Sequence, residues 1–272
     1  MKSGLARSVC GLLGVSILAA SQALADPNPV DFTSTGLAPG SINGQEFWSV
    51  SVQAPANGGF VVVPGKGLEL TDNTGGSHAA SYAFQNDNTS PLGRDSFASD
   101  TPITTTINFS VVTDSSPKKG RIVGIGWGLF VPVSLNSLPF FAEFSRDSEA
   151  GGYRLRFVKE SDKTVVEGET SVVISDADLG ISADKRESDP LQLSLTQTNV
   201  AEPTSWNTVS MLTNLKTKKT FVLKNTITAP GVYKTDDFIR AVVNLRRAGE
   251  DGLSSVVISQ LDADPAVDPT SQ

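Results

Sequence analysis

The sequence predicts an all-β sandwich of two antiparallel sheets, and three features carry that expectation. Short runs of alternating apolar and polar residues recur between residues 47 and 261. Clusters of Gly, Pro, Asn and Asp separate them, as turns separate strands. Helical periodicity is almost absent. More than ten such runs in one chain of this length suit a single domain with its core between two sheets.

Taken in order, the chain opens on a segment that stands outside the fold. Lys2 and Arg7 precede an apolar run, Val9 to Ala20, and Ala23-Leu24-Ala25 offers small residues at cleavage spacing. That is the pattern of a secretory signal peptide over residues 1–25. The run is shorter than the roughly 20 residues of a membrane span, so no membrane insertion is expected. Cys10 lies inside this segment without the setting of a lipoprotein signal. Residues 26–261 are expected to form the single sandwich domain, secreted or periplasmic. Residues 262–272, acidic and with Pro265 and Pro269, read as a flexible tail.

Asp26 to Gly44 reads as a strap rich in Pro, Gly, Asn and Ser. Phe47–Gln53, Phe60–Val63, Gly67–Thr71 and Ala79–Phe84 read as strands, and Asn86–Asp100 as a long polar loop. The stretch from Thr101 to Phe144 reads as two strands of a hairpin about a Pro/Gly turn. Ile103, Thr105, Ile107, Phe109 and Val111 share one face of the first strand. Thr104, Thr106, Asn108 and Ser110 share the other. In the second strand Val123, Ile125, Trp127 and Leu129 lie opposite Gly124, Gly126 and Gly128. Phe140–Ser145, Tyr153–Lys159, Thr164–Glu167 and Ser171–Ile174 continue as strands, and Asp176–Pro190 reads as a polar, acidic loop. Leu191–Thr198, Trp206–Leu212, Thr220–Ile227 and Leu253–Leu261 complete the set. Asp237–Arg247 fits helical and strand spacing alike; its neighbours favour a strand.

Charge and cysteine content narrow the chemistry. The full chain carries a net charge of −7, and loss of the first 25 residues removes two basic residues and no acidic one, leaving −9. Such a chain is a poor partner for nucleic acid or an anionic membrane. The sole cysteine leaves with the signal segment, so disulfides and cysteine-held zinc are excluded. With His78 the only histidine, a three-histidine metal site is excluded as well.

Gly67-Leu68-Glu69-Leu70-Thr71-Asp72, the strand pair Ile103 to Phe130 and the closing Ser254–Asp262 together resemble the concanavalin A-like lectin/glucanase group, and especially laminin-G-like domains of exported bacterial proteins. The likeness spans nearly the whole mature chain as a pattern of strands. It implies a jelly roll with a concave front sheet, many such domains binding glycans there or at a calcium-bearing rim.

The first candidate site is the low-relief face of the expected hairpin. Thr104, Thr106, Asn108 and Ser110 offer hydrogen bonds, and Gly124, Gly126 and Gly128 let a sugar approach the backbone. The competing reading is that these glycines make room for neighbouring side chains or a bend. Trp127 shares a face with core residues; Trp48 and Trp206 sit on more mixed strands. For calcium the candidates are Asp72 and Asn73, ending a strand, and Asp262 and Asp264, past the last one. Asp176-Ala177-Asp178-Leu179-Gly180 starts like a calcium loop but lacks the later ligands. Aspartates that merely cap turns are the simpler account.

Enzyme chemistry finds little footing. Glycosidases of this group carry Glu-x-Asp-x-x-Glu on a strand, and Glu143 to Glu149 has the wrong spacing. Lyases of the fold carry Gln-x-His, which is missing, although Tyr233 faintly echoes their other motif. His78 in a Gly/Ser loop establishes no triad. The expectation is an exported, non-catalytic module for polysaccharide or another glycan. A hydrolase or lyase is the alternative, and a purely structural protein the third reading.

Overall fold

The structure, a computed structural model, describes residues 30–34, 36–45, 48–52, 58–72, 78–85, 102–113, 120–129, 140–147, 152–158, 171–201, 205–228, 239–248 and 255–265. Among the described residues sixteen strands, numbered in chain order, form two sheets in which every ladder is antiparallel. The nine-stranded sheet runs β14 (Thr220–Thr228), β13 (Ser205–Asn214), β12 (Leu191–Ala201), β7 (Ile103–Val112), β16 (Ser255–Pro265), β5 (Gly67–Asp72), β4 (Gly58–Val63) and β2 (Gly40–Ser41). The short β1 (Val30–Asp31) also pairs with β16, at Leu261 and Gln260. The seven-stranded sheet runs β11 (Val172–Ser175), β10 (Gly152–Val158), β9 (Phe140–Asp147), β8 (Gly120–Leu129), β15 (Ile239–Ala248), β6 (His78–Gln85) and β3 (Trp48–Val52). The expected all-β double-layered architecture is what the chain adopts.

Alternation decides what each sheet buries. Along β7, Thr105, Ile107, Phe109 and Val111 are buried while Thr104, Thr106, Asn108 and Ser110 are half-exposed. Along β12 the buried set is Leu191, Leu193, Leu195 and Gln197. Against them the other sheet sets Ala142 and Phe144 of β9 and Tyr153, Leu155 and Phe157 of β10. Phe144 bridges the layers. It meets Phe109 edge-on, with ring centroids 5.8 Å apart, and stacks on Tyr153 at 5.0 Å. Arg146 lies over the far side of the Tyr153 ring, 4.7 Å from its centroid, and donates to both oxygens of Asp176.

Two expectations need correction. First, β7 and β8 are not a hairpin. β7 pairs with β12 and β16, β8 with β9 and β15, so the connection crosses from one sheet to the other. Second, the last strand does not stop at Leu261. Asp262 to Pro265 continue the ladder opposite Thr106 to Ile103, because β7 is long enough to supply partners there. Residues 262–265 therefore belong to the sheet and not to a tail. The run at 237–247, which fits helical and strand spacing alike and is expected as a strand, is one: β15. The signal segment, the Thr164–Glu167 run, the Asn86–Asp100 loop and Tyr233 lie outside the described residues.

The acidic loop 176–190 is an ordered cap over one end of the nine-stranded sheet. It opens with a single 3₁₀ turn, Ala177–Leu179, closed by Gly180 in the left-handed region (φ 74°). Its backbone then docks on β7: Ser188 N donates to Val111 O at 2.9 Å, and Thr113 N to Arg186 O at 2.9 Å. The buried Asn214, at the end of β13, fastens it to the β13–β14 turn. Its amide donates to Asp178 O (2.9 Å) and Asp189 Oδ2 (3.3 Å), while its Oδ1 accepts from the backbone of Lys216 and Thr217. Asp189, 5% exposed, accepts from Lys185 Nζ at 2.7 Å and Lys216 Nζ at 3.2 Å.

Those bonds hold the Asp189 carboxyl down at about 2, against an ordinary 3.8. The bond from Lys185 does most; burial opposes it, and Asn214 and Lys216 add to it. A carboxyl depressed on folding stabilises the fold fully above its unfolded value, and that contribution fades as pH falls through the folded one. The stability advantage of the native chain over Asp189→Asn is therefore expected to shrink between about pH 4 and pH 2. Denaturant midpoints of both proteins across that window measure it; a constant gap would contradict the assignment.

Candidate functional site

Because β7 and β8 belong to different sheets, the expected low-relief site divides in two. Thr104, Thr106, Asn108 and Ser110 lie on the outward face of the nine-stranded sheet. Gly124, Gly126 and Gly128 lie on the outward face of the seven-stranded sheet, on the other side of the core.

On the nine-stranded sheet the polar groups largely satisfy one another. Gln192 Nε2 donates to Asn108 Oδ1 at 3.0 Å, and Asn108 Nδ2 donates to Gln260 Oε1 at 2.7 Å. The amides of β12, β7 and β16 thus form a ladder across three strands. The hydroxyls of Thr104 and Thr196 lie 2.9 Å apart, and Ser110 donates to Glu187 at 3.2 Å. Cross-strand pairs of this kind stabilise a sheet and leave few groups to bind a ligand.

The seven-stranded sheet offers a different face. Phe144, Leu155 and Ile174 turn to the core, so the residues between them face outward. Register then defines one row across six strands: Ser51 of β3, Tyr82 of β6, Asn244 of β15, Gly124 of β8, Glu143 of β9 and Arg156 of β10. The next row holds Ser49, Phe84, Val242, Gly126 and Phe141. Gly124 and Gly126 stand in the middle of the two rows, at positions that carry no side chain.

Within the first row, Arg156 Nε and Nη2 lie 2.7 and 2.6 Å from Glu143 Oε1. Glu143 is fully buried and Arg156 is 27% exposed. Ser145, also outward, is 6% exposed, so this face is covered at β9. It emerges at β11, where Val173 is 50% exposed. A carboxylate locked onto a guanidinium positions hydrogen-bonding groups; it is not a bare acid poised to protonate a glycosidic oxygen.

Register also settles the tryptophan positions. Trp127 is paired with Phe140, Trp48 with Gln85, and Trp206 with Asn199 and Ile227. Tyr82, Phe84 and Phe141 take register positions in the two rows, and the sequence singled out none of them. Asn244, Arg156 and Arg154 were missed too. The alternation of Tyr153–Val158 does put both arginines on one face, but nothing in the sequence pairs β10 with β9.

The calcium candidates do not converge. Asp72 lies two residues past Leu70, the partner of Val256, while Asp262 lies six residues past Val256 in the opposite direction. About eight residues of strand, roughly 25 Å, separate them. Asn73 lies outside the described residues. Asp262 and Asp264 face Thr106 and Thr104, and two carboxylates fall short of the six to eight oxygens calcium takes. Among the described residues no three His, Cys, Asp or Glu gather as a metal set. Asp178, in the abortive calcium loop, instead takes Lys219 Nζ at 2.5 Å.

No protein-family model matches the chain. No curated protein matches it either. Solved structures do. Lectin I-B4 from Griffonia simplicifolia, in a metal-free form, superposes with a TM-score of 0.52 at 11% identity, over 87% of this chain and 99% of that one. Lectin UEA-II complexed with galactose gives 0.50 at 11%, over 88% and 100%. Lectin I from Ulex europaeus, in complex with the methyl glycoside of α-L-fucose, gives 0.50 at 12%, over 83% and 95%. At such identities the likeness establishes the fold: a concanavalin A-like, legume-lectin-like β-sandwich.

Proposed function

We propose that this chain is an exported, non-catalytic carbohydrate-binding module whose glycan lies across the outward face of the seven-stranded sheet. The observation that carries the proposal is the row in which Gly124 sits between Asn244 and the Glu143–Arg156 pair. A glycine there leaves the row without a side chain beside Arg156, whose part-exposed guanidinium supplies the hydrogen-bonding capacity while the buried Glu143 orients it. Similar folds whose names record galactose and a fucose glycoside lend support. Export rests on the amino-terminal segment, and kinship with laminin-G-like domains of exported bacterial proteins rests on the strand pattern alone.

The non-catalytic reading follows from carboxylate placement. Hydrolysis takes two carboxyl groups about 5 to 9.5 Å apart across the bond. On this face Glu143 is bound to Arg156, and Asp147 lies four residues along the same strand, roughly 13 Å away. The hydrolase or lyase alternative would need other groups to converge on Glu143.

The test is a panel of neutral and acidic glycans, screened with calcium and with chelator. Gly126→Gln puts a side chain into the row beside Gly124. It is expected to weaken binding about tenfold or more while the melting temperature stays near that of the native chain. Unchanged binding in a folded Gly126→Gln would contradict this placement of the ligand. Release of shorter products from any glycan on the panel would overturn the non-catalytic reading.

A further inference from the structure

Alternation along three neighbouring strands brings polar residues to the inward face of the nine-stranded sheet. Leu193 and Leu195 of β12, Leu212 of β13 and Leu223 of β14 belong to the core. Side chains two apart on a strand share a face, so Gln197, Thr208, Ser210 and Asn225 turn the same way. Register sets Gln197 beside Thr208 and Thr208 beside Asn225, one row across three strands. The next row holds Thr105 of β7, Leu195, Ser210 and Leu223. Leu191 follows directly on the cap and pairs with Phe109; Gln197 lies six residues further along β12, roughly 20 Å away. The polar row is thus at the end of the sandwich interior opposite the cap.

Its groups are buried and unanswered. Gln197 is 6% exposed and Thr105 fully buried. Among the described residues, the amide nitrogen of Gln197 and the hydroxyl of Thr105 have no hydrogen-bond partner. The amide nitrogen of Asn225 is buried without one as well, although its Oδ1 accepts from Thr226 N at 2.8 Å. Thr105 and Gln197 stand diagonally across one ladder, about 7 Å apart at Cα. Asn214, on the same face of β13, is the contrast. It is just as buried, yet its nitrogen donates to Asp178 O and Asp189 Oδ2 and its oxygen accepts from two backbone amides. Burying an amide or hydroxyl forfeits its hydration, so native chains give such groups a partner.

The chemistry of the row narrows what that partner is. Amide nitrogens only donate, so they do not hold a metal ion. Neither row contains an ionisable residue, so a charged ligand would lose its hydration with no counter-ion to replace it. A hydroxyl oxygen fits, because it accepts from the amides and bonds Thr105 Oγ1 in either direction.

We infer that this end of the sandwich interior is a binding site for neutral hydroxyl oxygens, held by Gln197, Asn225 and Thr105. Ordered water supplies them in the simplest case, each molecule making about three bonds. The hydroxyls of a small neutral alcohol offer the same chemistry. The site is separate from the proposed glycan face, which lies on the far side of the seven-stranded sheet, and neither stands or falls with the other.

Water-to-protein nuclear Overhauser spectra of the labelled full chain, with native mass spectrometry of the same sample, test it. The expected result is cross-peaks from long-lived water to the side-chain amide protons of Gln197 and Asn225, none to those of Asn214, and the mass of the bare chain. A retained neutral adduct that Gln197→Met loses, in place of the cross-peaks, assigns the oxygens to an alcohol instead. Absence of both cross-peaks and adduct overturns the inference. Cross-peaks of equal strength at Asn214 overturn it too, since they report general penetration by solvent. Stability gives an independent reading. Gln197→Met, close in shape, should lower the denaturant midpoint, because it removes one partner of a bonded oxygen. A raised midpoint would show that the amide was buried without any partner, and would overturn the inference.

Discussion

Gly180→Ala is expected to destabilise the fold by about 3 kcal/mol. Two independent effects add. Gly180 closes the 3₁₀ turn at φ 74°, where an L side chain costs about 1–2 kcal/mol. A Cβ at this position would also fall within contact distance of the Asp189 carboxylate, which Lys185, Lys216 and Asn214 hold in place. Pushing an anchored group aside costs about 1–3 kcal/mol more. Double-mutant analysis separates the two. In an Asp189→Ala background the clash is gone, and Gly180→Ala should cost only the backbone part. Chemical denaturation measures all four proteins. A single-mutant effect below about 1 kcal/mol would mean that the cap yields far more easily than its bonding indicates.

Phe144→Ala should cost about 3–5 kcal/mol, the larger of the two effects. The ring is fully buried and touches both layers, through Phe109 of the nine-stranded sheet and Tyr153 of its own. Removing it leaves a void between sheets whose backbones are fixed by ladders on both sides, so little collapse can fill it. Phe221 supplies the comparison. It sits on the edge strand β14, only partly buried against the core, and Phe221→Ala should cost about 1–2 kcal/mol. If the two substitutions prove equal in denaturant midpoint, Phe144 is not the bridge between layers described above.

These two sites show what the amino-acid order made legible. Phe144 lies on a run whose burial follows from alternation, and the same rule correctly sorted the two faces of β7 and β12. It could not say which strands pair. The segment between β7 and β8 contains turn-forming residues, and a turn of that composition serves a hairpin or a crossing between sheets equally well. That ambiguity placed Thr104 to Ser110 beside Gly124 to Gly128, when the core separates them. The cap at 176–190 was invisible for another reason. Its order comes from backbone bonds to β7 and from Asn214, a residue more than twenty positions away, and not from any local period. Asp262-Ala263-Asp264-Pro265 reads as a loop by composition, yet the length of β7 draws it into the ladder. The candidate site was half legible. The glycine strand stood out, while Asn244, Glu143 and the arginines come from three other strands and meet only through register.

The central claim is that a glycan occupies the outward face of the seven-stranded sheet. The most direct measurement is an amide chemical-shift titration of the labelled protein with the best-binding oligosaccharide of the panel. Shifts concentrated at Gly124, Gly126, Glu143, Arg156 and Asn244, with Asn108, Gln192 and Gln260 unmoved, are the result predicted here. Shifts confined to the amide ladder of β12, β7 and β16 would contradict it and move the binding surface to the opposite side of the molecule.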